Sequence, residues 1–177
     1  MNIHNMNIRS IHIIILGILY DGPKHGYQIH KCLDDPNGIG AVWKIKITNI
    51  YGLLDVLEKD GYIVPSKQLI DDTTYPPKKY FEITDRGKEI FQQWMREPVK
   101  HGREIRQVFL SKLYFANKES AEVAHQLILD QIKECNQWLV NSKQLPDGGV
   151  EFVKIVNSFR LMQMKSYITW LEELKKK

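Results

Sequence analysis

Over the first 98 residues the hydrophobic period changes once, and that single change limits the folds open to this chain. Up to Asp60-Gly61 the apolar residues recur at helical spacing. From Tyr62 onward they fall in β-branched and aromatic stretches of strand length. The clearest helical segment is "TNIYGLLDVLEKDGY", Thr48 to Tyr62, where Ile50, Leu53, Leu54 and Leu57 stand at i, i+3, i+4 and i+7. Gly61 suits the left-handed position that ends such a helix. "YIVPSKQLI" (Tyr62 to Ile70) and "KKYFEIT" (Lys78 to Thr84) then read as strands, joined by the turn-forming "DDTTYPP".

Two earlier helices precede this switch. The first covers about Ile8 to Leu19 and is broken by Asp21-Gly22-Pro23. The second runs from near His25 to Leu33, with Tyr27, Ile29 and Leu33 as its apolar contacts, and "DDPNGIG" follows as a loop. After the hairpin, Thr84 can cap a further helix with Ile90, Phe91 and Trp94 on its core face and Pro98 at its end. The expected architecture is therefore mainly α. Three helices and a β-hairpin form an N-terminal winged helix-turn-helix over residues 1–98, and a helical domain follows over 99–177. In a winged helix the third helix reads nucleic acid and the hairpin lies against the backbone.

The remainder is helical in pattern throughout. "REIRQVFLSKLYFA" (Arg103 to Ala116) spaces Ile105, Phe109 and Leu113 by four. The next helix carries Ala121, Ile128, Ile132, Cys135 and Leu139. Beyond the turn Pro146-Asp147-Gly148-Gly149 a last helix runs from about Val150 to Leu174. Phe152, Val156, Phe159 and Met162 lie on one side of it, and Met164, Ile168, Trp170 and Leu171 on others. A helix apolar over so much of its girth has neighbours on more than one face. A second subunit supplies them, so Ile128, Ile132, Cys135 and Leu139 are assigned with these eight to a homodimer interface.

Charge bounds the partners. The net charge is +4, but the residues through Glu97 hold twelve Lys and Arg against twelve Asp and Glu. Nucleic-acid binding there must come from local placement rather than from bulk charge. Two distant cysteines, Cys32 and Cys135, make no disulfide framework or thiolate metal cluster. "IHIIILGILY" (Ile11 to Tyr20) is too short for a bilayer, which needs ~20 apolar residues. No small-residue cleavage site follows it, so it reads as a buried helix of a cytoplasmic protein. No His, Cys, Asp or Glu spacing fits a metal. There is neither a phosphate-cradling glycine loop nor a nucleophile elbow, so no cofactor and no enzymatic activity are expected.

The candidate reader face is Thr48, Asn49, Tyr51, Gly52, Asp55 and Lys59. Asn pairs bidentately with adenine, Thr meets a thymine methyl, and Asp accepts from cytosine N4. Tyr51 can reach a phosphate or a base edge, or pack on the wing. Gly52 leaves room for a backbone to approach, and Asp55 can instead pair with Lys59 at i+4. Lys44, Lys46 and Lys67 flank the reader, and Lys78 and Lys79 begin the returning wing strand. These five are the candidate phosphate contacts.

Four stretches together resemble the PadR family of bacterial transcriptional regulators, in its long form with a virulence-activator-like helical C-terminus. They are "ILGILYDGPKHGYQI", "IGAVWKIKITNIYGLLDVLEKDGYI", "PPKKYFEITDRGKE" and "REIRQVFLSKLYFA". The resemblance covers nearly the whole chain. It implies a homodimer joined through its helical C-terminal domain and bound to an inverted-repeat operator on double-stranded DNA. Members are commonly repressors, and some are released by small aromatic or drug-like effectors. The reader helix departs from the family at Gly52, Asp55 and Val56, where basic or polar residues are frequent. The alternative reading is a winged-helix protein-interaction module that has lost DNA binding.

Overall fold

A computed structural model describes residues 9–71, 78–143 and 150–176, with side chains throughout these spans except at 67–71 and 143. The chain divides into two compact units, Met1–Met95 and Arg96–Lys177.

The first unit is built around α1 (Ser10–Tyr20). Every residue from Ile11 to Leu19 is buried, so this helix is enclosed around its whole girth, with His12 its one buried polar side chain, as expected of a core helix rather than a surface one. Gly22, at φ 124°, ends it. β1 (Lys24–His25) leads into α2 (Gly26–Asp34), and a 3-10 turn at Ile39–Ala41 precedes α3 (Ile47–Lys59). On α3 the residues Ile50, Leu54 and Leu57 are fully buried. Leu53, expected in the same stripe, is only half-buried.

The stop of α3 is sharp. Gly61, at φ 74°, donates its N–H to the Glu58 carbonyl at 3.0 Å, and Tyr62 donates to Leu57 at 2.9 Å. This pair of bonds is the Schellman motif, and its left-handed residue is the glycine anticipated from sequence. The chain is thereby turned directly into β2 (Ile63–Asp71), which pairs antiparallel with β3 (Lys78–Ile83). The ladder shifts register between Pro65 and Ile70. The strand order is β1-β3-β2, so Pro65 lies on an edge strand, where its missing N–H is tolerated. The sequence reading expected a two-stranded hairpin. β1 makes it three, pairing Lys24 with Phe81 and His25 with Tyr80. Two residues are too few to show a period of two, which is why β1 left no signal.

α4 (Asp85–Arg96) is capped as anticipated, with the Gly87 N–H donating to Thr84 Oγ1 at 3.1 Å. Phe91, Trp94 and Met95 are buried, and Ile90 is half-buried.

In the second unit, the segment expected as one regular helix from Arg103 breaks into three. A 3-10 turn (Gly102–Glu104) and one turn of π-helix (Ile105–Phe109) precede α5 (Leu110–Glu119). α6 (Ala121–Lys143) packs on both α5 and α7 (Glu151–Leu174). The segment entering this unit is held by polar contacts. The Lys112 ammonium donates to the Glu97 carbonyl at 2.7 Å. The buried Gln131 amide exchanges two bonds with the Val99 backbone, at 2.8 and 3.1 Å. Lys100 pairs with Glu134, and Arg96 with Glu119. Burial pulls the Lys112 ammonium down to about 8 against the opposing pull of Glu97 and Glu104, and burial pushes the Cys135 thiol up to about 11. Cys32 and Cys135 are both free thiols.

His12 offers a test of the core. Burial lowers its pKa below 6.5, with the Arg9 charge adding to the effect, and its neutral Nδ1 accepts from the Arg9 N–H at 3.2 Å. The stability it contributes is complete above pH 6.5 and is lost as pH falls through the lower folded value. Urea midpoints of the native chain should therefore fall from about pH 7.5 to about pH 5.5 more steeply than those of His12→Leu, in which this proton-linked component is absent.

Candidate nucleic-acid interface

Complete burial of Ile50, Leu54 and Leu57 fixes the roll of α3 about its own axis. Fully burying each such side chain stabilises the fold by roughly 1.5–3 kcal/mol, so the helix is not free to turn. The other side of α3 is thereby committed to solvent. Thr48, Asn49, Tyr51, Gly52, Asp55 and Lys59, the six residues singled out in the sequence, are all exposed there. Lys44 and Lys46 are exposed just ahead of the first turn.

Tyr51 is 54% exposed. It lies over the start of α2, where a Cβ on Gly26 would stand 2.8 Å from Tyr51 Cε1 and 3.0 Å from Cζ. The glycine of the His-Gly-Tyr run thus has a steric reason: it is the floor on which the reader tyrosine lies. Gly52 is the opposite case. A Cβ there would meet nothing within 4 Å, so no neighbour inside the fold demands a glycine. Asp55 and Lys59 form no ion pair with each other among the described contacts. The carboxylate faces solvent on the reader side.

The wing is less available than its lysines suggest. Lys79 Nζ reaches both carboxylate oxygens of Glu58, at 2.9 and 2.7 Å, and lies 4.9 Å from the Phe81 ring centroid. Glu58 is on α3, so this pair ties the returning strand to the reader helix. Lys78 is exposed beside it. The Lys67 side chain, the fifth cation expected at phosphates, lies outside the described residues.

Sequence reading overlooked one group. Tyr27, expected to pack inward, is 59% exposed at the first turn of α2. Its ring is stacked with His25 at 6.3 Å, and His25 meets Tyr80 of β3 edge-on at 5.0 Å. The β1–β3 pairing sets His25 opposite Tyr80 and so assembles the row. Without β1 the sequence held no signal for it. Among the described residues no group of three His, Cys, Asp or Glu side chains could hold a metal ion. No described helix is long and apolar enough to cross a membrane.

The exposed reader helix, the wing and the aromatic row all fall within residues 15–93, which match the model of the transcriptional regulator PadR-like family. Residues 15–93 form a domain of the transcriptional regulator PadR-like family. The likeness to family members extends past the matched domain. The chain is 25% identical to the negative transcriptional regulator PadR of Bacillus subtilis (strain 168), over 94% of this chain and 96% of that protein. Among solved structures, Bacillus subtilis PadR in complex with operator DNA is 25% identical, covers 94% of this chain and 98% of its own, and has a TM-score of 0.48. The same protein in complex with p-coumaric acid is 24% identical, with coverages of 95% and 98% and a TM-score of 0.44.

The Glu58–Lys79 pair generates a counter-intuitive expectation for this PadR-like chain. An exposed pair of this kind contributes ~0–1 kcal/mol to stability. Glu58→Gln should leave the folding free energy nearly unchanged while releasing the lysine. Filter-binding titrations at several salt concentrations should then give tighter binding to every duplex alike, with a log–log salt slope steeper by about one ion. Unchanged affinity and slope would mean that Lys79 does not face the phosphates.

Proposed function

We propose that this chain is a bacterial transcriptional repressor that binds an inverted-repeat operator on double-stranded DNA as a homodimer. It works in the cytoplasm and acts by binding rather than by catalysis. The observation that carries this reading is the division of α3 into a fully buried stripe, Ile50, Leu54 and Leu57, and an exposed N-terminal face, Thr48, Asn49 and Tyr51. The N-terminal end is the part of a recognition helix that meets base edges. A helix immobilised by its core can present donors and acceptors in fixed geometry, which direct readout requires. The sign of regulation follows the Bacillus subtilis relative, which is named a negative regulator.

Base choice and grip are separated in this reading. Asn49 is the residue suited to a bidentate pair with adenine. Lys44, Lys46 and Lys78 supply sequence-independent attraction to phosphates, joined by Lys79 when it leaves Glu58. Asp55 adds no attraction. Beside an exposed cytosine N4 it is a selector, and elsewhere it repels phosphate.

The homodimer is supported by α7. Phe152, Ile155, Phe159 and Met162 are 70, 58, 60 and 68% exposed and follow one another at steps of three, four and three. That spacing makes a single seam along one side of a helix, as in helix pairing. An exposed apolar seam of this length marks an interaction site. A second copy of the same helix offers a matching seam, because a two-fold interface joins like surfaces. Four of the residues assigned to the interface from sequence are in the unit's own core instead. Cys135 and Leu171 have no exposed surface left for a partner, and Ile128 and Ile132 retain almost none. Leu139, Val156, Met164, Ile168 and Trp170 are half-buried at its margin.

Selection on random duplexes, followed by competition at two salt concentrations, tests the reading. The native chain should enrich an inverted repeat and lose affinity steeply with salt. Asn49→Ala should relax preference at one position of each half-site by about ten-fold. Failure to enrich any sequence at low salt would favour the protein-interaction module over the regulator. For the dimer, Phe159→Glu with Met162→Glu should yield a folded monomer in sedimentation, with operator affinity reduced to that of a single half-site. A dimer that persists in this variant would move the interface off α7.

A further inference from the structure

Gly52 stands near the middle of the exposed face of α3, and a Cβ there would meet no atom within 4 Å. On a helix the surface neighbours of a residue are those three and four positions away. For Gly52 they are Thr48, Asn49, Asp55 and Val56, and all four are exposed. The missing side chain therefore leaves a hole, floored by backbone and ringed by these four. Helical Cα–Cβ bonds tilt toward the N-terminus, so Asp55 and Val56 lean back over the hole from the following turn.

The ring is of two kinds. Along the row at steps of four stand Thr48 and Val56, which bring methyl groups. Along the row at steps of three stand Asn49 and Asp55, an amide and a carboxylate. Val56 lies outside the six reader residues singled out in the sequence, yet it is 41% exposed on their flank. A lone exposed valine is ordinary on a protein surface. Beside this hole it supplies an apolar wall. The floor is apolar in effect as well, because the N–H and C=O groups of a helix interior already bond each other. A hole with no free donor or acceptor of its own favours an apolar occupant.

The major groove offers such a group in the 5-methyl of thymine, which projects beside the O4 acceptor. A 5-methylated cytosine offers the same methyl beside the N4 donor. Asn49 and Asp55 stand where they can meet the polar neighbours of either methyl, the amide at O4 or the paired adenine and the carboxylate at N4.

We propose that the hole over Gly52 receives the 5-methyl group of one pyrimidine in each operator half-site, which makes Gly52 and Val56 specificity-determining residues. The proposal rests on the repressor reading, since a bound operator is what brings a base edge to α3. Burial of one methyl is worth about four-fold in affinity.

The test uses the full chain and the operator enriched from random duplexes. Its thymines are replaced by deoxyuridine, which lacks the methyl, one symmetry-related pair at a time. With the native chain, one pair should weaken binding by about sixteen-fold, about four-fold in each half-site, and the other pairs should change it little. Gly52→Ala puts a methyl of its own in the hole. It should bind the deoxyuridine operator at least as well as the thymine one, whereas a purely structural effect would shift both alike. Val56→Ala should reduce the sixteen-fold loss to about four-fold. Alanine favours a helix over glycine, and circular dichroism should show both variants folded as the native chain is. A second arm places 5-methylcytosine at each cytosine pair. A gain of similar size, absent in Gly52→Ala, would assign the hole to a methylated cytosine beside Asp55. An enriched operator with no methyl-sensitive position, or a sensitivity unchanged in Gly52→Ala, would overturn the proposal and leave the repressor reading standing. Failure to enrich any operator would instead sink that reading, and this proposal with it.

Discussion

Complete burial of one stripe of α3 is the constraint from which the proposed interface follows. Ile50, Leu54 and Leu57 have no exposed surface. Turning the helix by one residue would bring apolar groups into water and polar ones into the core. At roughly 1.5–3 kcal/mol per side chain, that is comparable with the whole stability of a small domain. Everything on the far side of α3 inherits its direction from this cost. The Schellman turn at Gly61 adds a second constraint, since it starts β2 at a set angle from the end of the same helix. The Glu58–Lys79 pair then joins the wing back to it. The reader and wing are positioned by the core, not by one another's surface charges.

The electrostatics are restrained. Through Glu97 the chain holds as many acids as bases. One of the wing's cations is engaged by a carboxylate of the reader helix. Such an arrangement lowers nonspecific attraction to phosphate and leaves a larger share of discrimination to base edges. The helical unit carries the chain's net positive charge instead.

How much of this was legible depended on the range of the interactions involved. Strong local periodicity carried α1, α3 and the hairpin, and Gly61 and Thr84 announced their caps because capping is a matter of a few neighbouring residues. β1 could not be seen, since two residues carry no period, and the His25–Tyr80 contact went with it. The Glu58–Lys79 pair spans 21 residues, and no spacing rule predicts it. The π-turn at Ile105–Phe109 shares its apolar spacing with an ordinary helix. On α6 the apolar residues on several faces match its packing on both α5 and α7, while on α7 the same pattern covers a core face and an exposed seam. The pattern could not say which face met the chain's own core, so Cys135 and Leu171 were grouped with Phe152 and Phe159. Exposure, a tertiary property, separates them.

Gly52 has a consequence of a different kind. It sits mid-helix on the exposed face of α3, with empty space where a side chain would be. Its glycine weakens the helix by ~0.5–1 kcal/mol relative to alanine, and no packing inside the fold requires it. Almost any residue could occupy the position without disturbing the core. Where the surrounding face meets DNA, a change at 52 would alter which operators are accepted while the protein folds as before. A regulator with such a position can diverge in target after duplication through single substitutions, each tolerated by the fold at every intermediate step.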